Sequence, residues 1–301
     1  MSLSVVILAA GQGTRMRSAL PKVLHPLGGS PLLQHVIRAA QQLEPSNIHV
    51  VYGHGGERVR EALGHEAVNW VMQDQQLGTG HAVDQVMPSI RDNDTLLVLY
   101  GDVPLIQADT LRQLVAQAEN GCLSVLTATL DDPQGYGRMI RDADGKLASI
   151  VEQKDASEEQ LTIREISTGF LAAPAAKLRS WLDQLDNSNA QGEYYLTDVI
   201  AMAAADGVAV ASVSTENEFE ILGVNDRVQL STLERIYQRS QAERLMRSGI
   251  TLADPGRFDL RGNISTGQDC FIDINIILEG AINIGNRVKI GPNCLIRNAV
   301  I

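Results

Sequence analysis

Leu8-Ala9-Ala10-Gly11-Gln12-Gly13-Thr14-Arg15-Met16, followed by Leu20-Pro21-Lys22, stands directly after an apolar run that reads as a strand. Glycines at such a place let the main chain approach a phosphate closely, successive N–H groups form an anion-binding nest, and Arg15 and Lys22 add cationic donors. The chemistry this serves is the holding of a triphosphate. The spacing is not that of a P-loop, which wants Gly-Lys-Ser/Thr, nor of the dinucleotide fingerprint, because Met16 stands where the third glycine belongs. An ordinary glycine-rich strand-to-helix turn is the alternative, and the two basic residues with Pro21 weigh against it.

Asp102, in Leu96-Leu97-Val98-Leu99-Tyr100-Gly101-Asp102-Val103-Pro104, lies just past the carboxyl end of a buried strand pattern. Open α/β sheets bind ligands there, and an aspartate can hold Mg²⁺ against a nucleotide phosphate. A lone aspartate is also a good helix cap, so a second oxygen ligand is wanted. Asn225, in Gly223-Val224-Asn225-Asp226-Arg227, is a candidate, although taken alone it reads as the N-cap of the following helix. A third polar segment, Gln73 to Ala82, opens a helix and could hydrogen-bond a base through the Gln73 amide and the backbone near Gly78 and Thr79; a plain loop with Thr79 as the cap is the alternative. His81 and His54 have no Ser or Cys partner in a recognisable triad and receive no catalytic role.

Something must position these residues, and the pattern around them supplies it. Short apolar runs at Leu3 to Leu8, Ile48 to Tyr52, Val68 to Met72, Thr95 to Tyr100 and Leu123 to Leu130 alternate with helical segments such as Pro31 to Leu43 and Thr79 to Val86. That is the signature of βαβ units around a mostly parallel sheet with helices on both faces. The stretch from Asp131 to Thr168 differs: Asp144-Gly145 between two alternating runs predicts a hairpin, in a lid or edge insertion. A further strand is expected at Gly169 to Ala173, with helices at Ala175 to Gln184 and Leu196 to Ala205. Arg227 to Arg247 reads as one amphipathic helix linking two domains. After residue 259 the period becomes six: Leu260, Thr266, Ile272, Leu278, Ile284, Ile290 and Ile296 form one series, and Ile264, Cys270, Ile276, Ile282, Val288, Cys294 and Val300 a second. Gly280, Gly285 and Gly291 fill turn positions between them. Such hexads mark the start of a left-handed parallel β-helix. The last hexad ends on Ile301 with no polar cap, so the chain is expected to be the first part of a longer protein. The expected domains are residues 1–226, a linker helix 227–247 and β-helix coils 248–301.

Composition narrows the function. The 301 residues are 44% apolar and 20% charged, which excludes disorder as the main state, and the net charge of −11 argues against a nucleic acid polymer as partner. No apolar run approaches the roughly 18–20 residues that span a bilayer, and no signal peptide is evident, so membrane insertion is not expected and the cytoplasm is the expected compartment. The three cysteines, Cys122, Cys270 and Cys294, form no metal or disulfide pattern and read as small buried apolar residues. Only 4% of residues are aromatic, as interiors filled by Ile, Val, Leu and Cys require.

Taken together, LAAGQGTRM with PK, QLGTGHA, LYGDVPL, GYGR, IVEQKDA, NAQGEYYLTD, GVNDR and the hexapeptide tail resemble one family over essentially the whole chain. It is the bifunctional bacterial family that joins N-acetylglucosamine-1-phosphate uridyltransferase to glucosamine-1-phosphate N-acetyltransferase. The resemblance implies a Rossmann-like nucleotidyltransferase domain that transfers UMP from UTP to N-acetylglucosamine-1-phosphate with Mg²⁺, releasing pyrophosphate, in a precursor step for peptidoglycan and lipopolysaccharide. It implies that Leu8, Ala9, Ala10 and Gly11 contact the nucleotide, that Arg15 and Lys22 bind phosphates, and that Gln73, Gly78 and Thr79 read uracil. Tyr100, Gly101 and Asp102 would line the site, Asp102 and Asn225 would hold Mg²⁺, and Gly137 and Glu152 would meet the sugar. The family's usual Asn in E-I-N-T-G is Ser167 here, a shorter side chain that puts one sugar contact in question. The resemblance also implies a homotrimer through the β-helix, with the acetyl-transfer site expected beyond residue 301. Another sugar-1-phosphate nucleotidyltransferase and a catalytically idle assembly subunit of the same fold remain as alternatives.

Overall fold

The computed structural model describes residues 2–53 and 55–301, so His54 lies outside the described residues. The chain divides into two compact units, one of Met1–Gln12 with Leu33–Leu222, the other of Gly13–Leu32 with Gly223–Ile301.

The first unit is built on nine strands: β1 (Leu3–Leu8), β2 (Asn47–Gly53), β3 (Asn69–Gln73), β4 (Thr95–Tyr100), β5 (Leu123–Thr129), β6 (Gly137–Arg141), β7 (Leu147–Val151), β8 (Glu165–Pro174) and β9 (Val210–Ser214). Their order is β9-β5-β8-β4-β1-β2-β3, with β6 against β8 and β7 against β6. The pairs β1–β2, β1–β4, β2–β3 and β5–β9 are parallel, whereas β8 runs antiparallel to β4 and β5. The hairpin expected at Asp144-Gly145 is β6–β7. Strand β8 begins earlier than the apolar pattern suggested, because Glu165 to Ser167 pair with β5 despite their mixed polarity.

Both alternating sets of side chains in β1 are buried: Val5 and Ile7 on one face, Val6 and Leu8 on the other. Val6, Leu8, Val98 and Val125 share a core with the helices Thr79–Asp84, Ala175–Leu182 and Val199–Ala205. On the opposite face Ser124 Oγ donates to the Leu114 carbonyl in the helix Ala108–Glu119 at 2.7 Å. Helices therefore cover both faces, and most polar groups are left to the loops at the strand ends.

In the second unit the helix Arg227–Arg247 carries two things. Its Gln238 is buried and clamps Leu260 from both sides, donating to its carbonyl at 2.9 Å and accepting from its N–H at 2.7 Å. It also holds the hairpin of Pro26–Leu27 and Ser30–Pro31: the Gly28 N–H donates to the Glu234 carboxylate at 2.8 Å, and a Cβ on Gly28 would lie 2.0 Å from the Tyr237 ring. Residues 13–32, expected in the first domain, belong to this unit because of such contacts, which have no sequence period.

The tail forms parallel strands repeating every eighteen residues, Phe258 opposite Ile276 and Ile277 opposite Leu295. Leu260, Cys270, Ile272, Ile276, Leu278, Ile282, Ile284 and Ile290 are buried in one core. Of the expected corner glycines only Gly280 has a positive φ; Asp269, Asn275, Arg287, Asn293 and Asn298 take that conformation at the other corners. Val300, expected inward, is 84% exposed, because a register shift pairs Ile282 with Ala299 and leaves Val300 beside the outward Asn283. Cys122 and Cys294 are only partly buried, unlike Cys270, and all three thiols are free. No helix among the described residues is long and apolar enough to cross a membrane.

Two consequences can be measured. His49 on β2 is buried with neither ring nitrogen hydrogen-bonded, and burial holds its pKa below the ordinary 6.5; His25 is shifted the same way by burial and by Arg227. The unfolded chain then takes up protons that the folded chain refuses, so stability falls as pH drops below about 6.5, by up to about 1.4 kcal/mol per pH unit for one proton. The loss of Tm on acidification is expected to be smaller in His49→Leu than in the wild type, and an unchanged slope would contradict this. Gly28→Ala is expected to destabilise the chain by about 1–3 kcal/mol in thermal or urea unfolding, since both φ +55° and the Tyr237 ring oppose a side chain there.

Candidate nucleotide and sugar site

Parallel register brings the carboxyl ends of the central strands level. Leu8 pairs with both Val51 and Tyr100, and Gly53 pairs with Gln73, so the loops after β1, β2, β3 and β4 emerge along one edge. After β1, the Ala9 N–H donates to the Val51 carbonyl at 2.8 Å, and the Ala10 carbonyl accepts a hydrogen bond from the Gln76 amide, which also accepts from Gln12 at 2.9 Å. Gln76 thus ties the first loop to the third. It was missed in the sequence because a glutamine among several in a polar loop carries no distinguishing pattern. A Cβ on Gly11 would meet no protein atom within 4 Å, so packing does not require a glycine at that position.

After β4, the Gly101 N–H donates to the Leu8 carbonyl at 2.9 Å, which fixes the turn that presents Asp102, half-buried, at the edge. Tyr100 lies against Phe170, with ring centroids 6.0 Å apart, and against Gly169, where a Cβ would come within 2.6 Å of its ring. Gly169 stands in the stretch where β8 shifts register, at φ +84°, so the irregularity makes room for the tyrosine. Burial first, then the carboxylates of Glu152 and Asp102, push the Tyr100 phenol well above its ordinary range, against a hydrogen bond from Thr79. It stays protonated at neutral pH.

The segment Gln73 to Thr79 is braced against the segment Glu193 to Leu196. The Tyr194 N–H donates to the Leu77 carbonyl at 2.8 Å and the Gly80 N–H to the Tyr194 carbonyl at 2.9 Å. Gly78, at φ +114°, has Tyr194 backbone atoms where a Cβ would be. Thr79 does not cap its helix: the N-cap is Gly78, and the Thr79 hydroxyl accepts from the Leu196 N–H at 3.1 Å. Gln73 is buried, and its amide donates to the Gly78 carbonyl at 3.2 Å and meets His81 Nδ1 at 2.9 Å.

Gly137 and Glu152 come together across the β6–β7 hairpin, where a Cβ on Gly137 would lie 3.6 Å from the Glu152 carboxylate and 2.9 Å from Ile150. Thr197 donates to Glu152 Oε1 at 3.0 Å. Burial raises the Glu152 pKa, with Asp155 and Glu193 adding to the rise and Thr197 opposing it. Asp198 is pushed up to about 6 by burial and by Asp186, Glu152 and Asp155. Thr197 and Asp198 were not singled out in the sequence, since only the motif around them was visible. Ser167 pairs with Gly137, and its hydroxyl accepts from the Gly169 N–H at 3.2 Å.

In the second unit Arg15, Lys22 and Asn225 converge. Arg15 Nη2 and Lys22 Nζ both donate to Asn225 Oδ1, at 2.9 and 3.2 Å. Asn225 is not the helix cap; Asp226 is, accepting from the Val228 and Gln229 N–H groups at 2.9 and 2.8 Å. Gly13, at φ +60°, has the Lys22 Cβ 2.6 Å from where its own would be, so the glycine lets the Lys22 main chain pass close. Among the described residues no three His, Cys, Asp or Glu side chains group as metal ligands.

A model of the MobA-like NTP transferase domain matches residues 5–252. The bifunctional protein GlmU of Pseudomonas putida is 60% identical over 301 residues, all of this chain and 66% of that protein. GlmU of Alkalilimnicola ehrlichii is 54% identical over 300 residues, again all of this chain and 65% of that protein. The chain therefore spans about two thirds of the length of these relatives. Among solved structures, UDP-glucose pyrophosphorylase complexed with UDP-glucose superposes with a TM-score of 0.64 at 17% identity, over 80% of this chain and 100% of the other. A Methanothermobacter nucleotidyl transferase does so with a TM-score of 0.56 at 22% identity, over 79% of this chain and 99% of the other. These two likenesses speak for the fold. The chain belongs to the family of proteins with a MobA-like NTP transferase domain, and within it is a homologue of the bifunctional proteins named GlmU.

Proposed function

We propose that the chain transfers UMP from UTP to N-acetylglucosamine-1-phosphate, giving UDP-N-acetylglucosamine and pyrophosphate. The observation that carries this is the edge where Leu8 to Gly11, Gln73, Gly78 and Thr79 line up beside Tyr100, Gly101 and Asp102, with Gly137 and Glu152 across the β6–β7 hairpin. Similarity over the whole of this chain to proteins named GlmU, of which it spans about two thirds, supports the choice of substrates.

A phosphate oxygen of the sugar phosphate bonds to the α-phosphorus of UTP, the bond from that phosphorus to the bridging oxygen breaks, and pyrophosphate leaves. The nucleophile is already an anion, so no general base is needed, and catalysis is positioning and charge neutralisation. Arg15 and Lys22 already converge on one oxygen and would take phosphate oxygens in its place. Backbone N–H groups around Gly11 and the Gln73–Thr79 loop would hold the nucleotide, and Glu152, kept in place by Thr197, would accept from a sugar hydroxyl or amide.

Asp102 and Asn225 remain the proposed donors for Mg²⁺. Both offer oxygen, as this hard cation prefers, and so small a protein ligand set suits an ion held mainly by substrate phosphates and water. Bound there, Mg²⁺ would neutralise charge on the polyphosphate. Asn225 would have to exchange its two cationic donors for the metal, a rearrangement that phosphate binding to Arg15 and Lys22 would favour.

The eighteen-residue coils support the start of a left-handed β-helix, and with it a homotrimer, which sedimentation would test; the cytoplasm is the compartment this reading implies. Ser167, whose short hydroxyl offers one donor and already accepts from Gly169, favours a second reading, in which the sugar differs. Competition between N-acetylglucosamine-1-phosphate and glucose-1-phosphate in a pyrophosphate-release assay separates the two.

Asp102→Asn is expected to lower Mg²⁺-dependent pyrophosphate release by at least about a hundredfold with little change in Tm, and near-normal turnover would refute the metal assignment. Thr197→Val removes the donor that holds Glu152 ionised, so the acid-side fall of kcat/KM for the sugar phosphate is expected to move to higher pH, with a raised KM. A pH profile identical to that of the wild type would contradict this role for Glu152.

A further inference from the structure

The amide of Gln73 has only one orientation compatible with its neighbours. Its nitrogen lies 3.2 Å from the Gly78 carbonyl oxygen and 2.9 Å from His81 Nδ1. A carbonyl oxygen can only accept, so the end facing Gly78 is the NH₂ group. Its second hydrogen points at Nδ1, which must accept it. His81 is then the tautomer with its hydrogen on Nε2, where the amide end of Gln85, at 3.3 Å, can turn its oxygen to receive it. With both hydrogens of the Gln73 amide held by the protein, what that side chain can offer a ligand is its carbonyl oxygen, an acceptor only.

We propose that His81 is a positioning residue for nucleobase selection. By accepting from Gln73 it holds the amide so that an acceptor faces the base. A base with a ring N–H on its pairing edge, as uracil has at N3, satisfies that acceptor. Cytosine, whose N3 is itself an acceptor, leaves two acceptors opposed, and a site that loses a hydrogen bond in this way discriminates more strongly than one that loses only contact area. The inference rests on the reading of Gln73 as a base contact. It gives a use to a histidine that takes no part in the proposed chemistry.

The test compares three substitutions in the full chain by the ratio of kcat/KM for UTP to that for CTP in pyrophosphate release. The amide oxygen of His81→Asn reaches about as far as Nδ1 and accepts there; the oxygen of His81→Gln reaches toward the Nε2 position, and His81→Leu offers no acceptor. The ratio is expected to fall by about tenfold or more in H81L and H81Q, through KM for UTP with kcat little changed, and to be kept in H81N. A ratio unchanged in all three, or lost in H81N as fully as in H81L, would overturn the inference. The contrast between H81Q and H81N decides the matter even if H81L fails to fold. A wild-type chain that uses CTP as readily as UTP would overturn the base assignment itself and this inference with it, so the two failures are distinguishable.

Discussion

Leu8 pairs with Val51 on one side and with Tyr100 on the other, and the first unit depends on that register. Parallel strands buried on both faces are mostly apolar along their length, with Ser4, His49 and Thr95 as buried polar exceptions, so the loops where the strands stop carry most of the polar groups. Because β1 and β4 stop level with one another and β2 runs two residues further in the same direction, the turns after them share one edge. Slipping one strand by a residue would exchange its buried faces and move its loop off that edge. The hydrogen bond from the Gly101 N–H to the Leu8 carbonyl carries the pairing one residue further and fixes the direction in which Asp102 leaves the sheet.

The second unit rests on a different repeat. Eighteen residues return the chain to the same face, so aliphatic side chains stack into columns and equivalent corners stack as well. At those corners Asn275 donates to Asn293 at 2.8 Å, and the Gln268 N–H donates to Asn286 at 2.8 Å, each pair eighteen residues apart. Asparagine suits such corners because it tolerates a left-handed backbone and bonds to its counterpart in the next coil. The long helix is fastened to this stack by a buried glutamine as well as by Ala242 and Leu245 in the shared core, since Gln238 satisfies both backbone groups of Leu260.

Charge is distributed unevenly between the two sets of site residues. In the first unit Asp102, Glu152, Asp155 and Asp198 raise the pKa values of their neighbours or have their own raised, which marks a carboxylate-rich environment. In the second, Arg15 and Lys22 both donate to one neutral acceptor, the Asn225 amide oxygen. An amide oxygen that receives two cations is more easily exchanged for a phosphate oxygen than a carboxylate would be.

The strand–helix alternation, the hairpin at Asp144-Gly145, the helix Arg227–Arg247 and the hexads were legible in the residues alone, as was the strand-end placement of Gly11 and Asp102. Each of these follows from a local period or from turn chemistry, in which a residue's neighbours in sequence are its neighbours in space. What the sequence did not disclose has no such period. The hold of Gln76 on Ala10, of Thr197 on Glu152, and of Tyr237 over Gly28 joins residues far apart in the chain through one side chain and one backbone or carboxylate group. Tertiary structure also decided that Asp226 and not Asn225 caps the helix, that Thr79 turns to Leu196, that Val300 faces outward, and that residues 13–32 pack with the second unit. The reason is the same in each case: residue type limits which hydrogen bonds and contacts are possible, and only the packed chain selects which of them form.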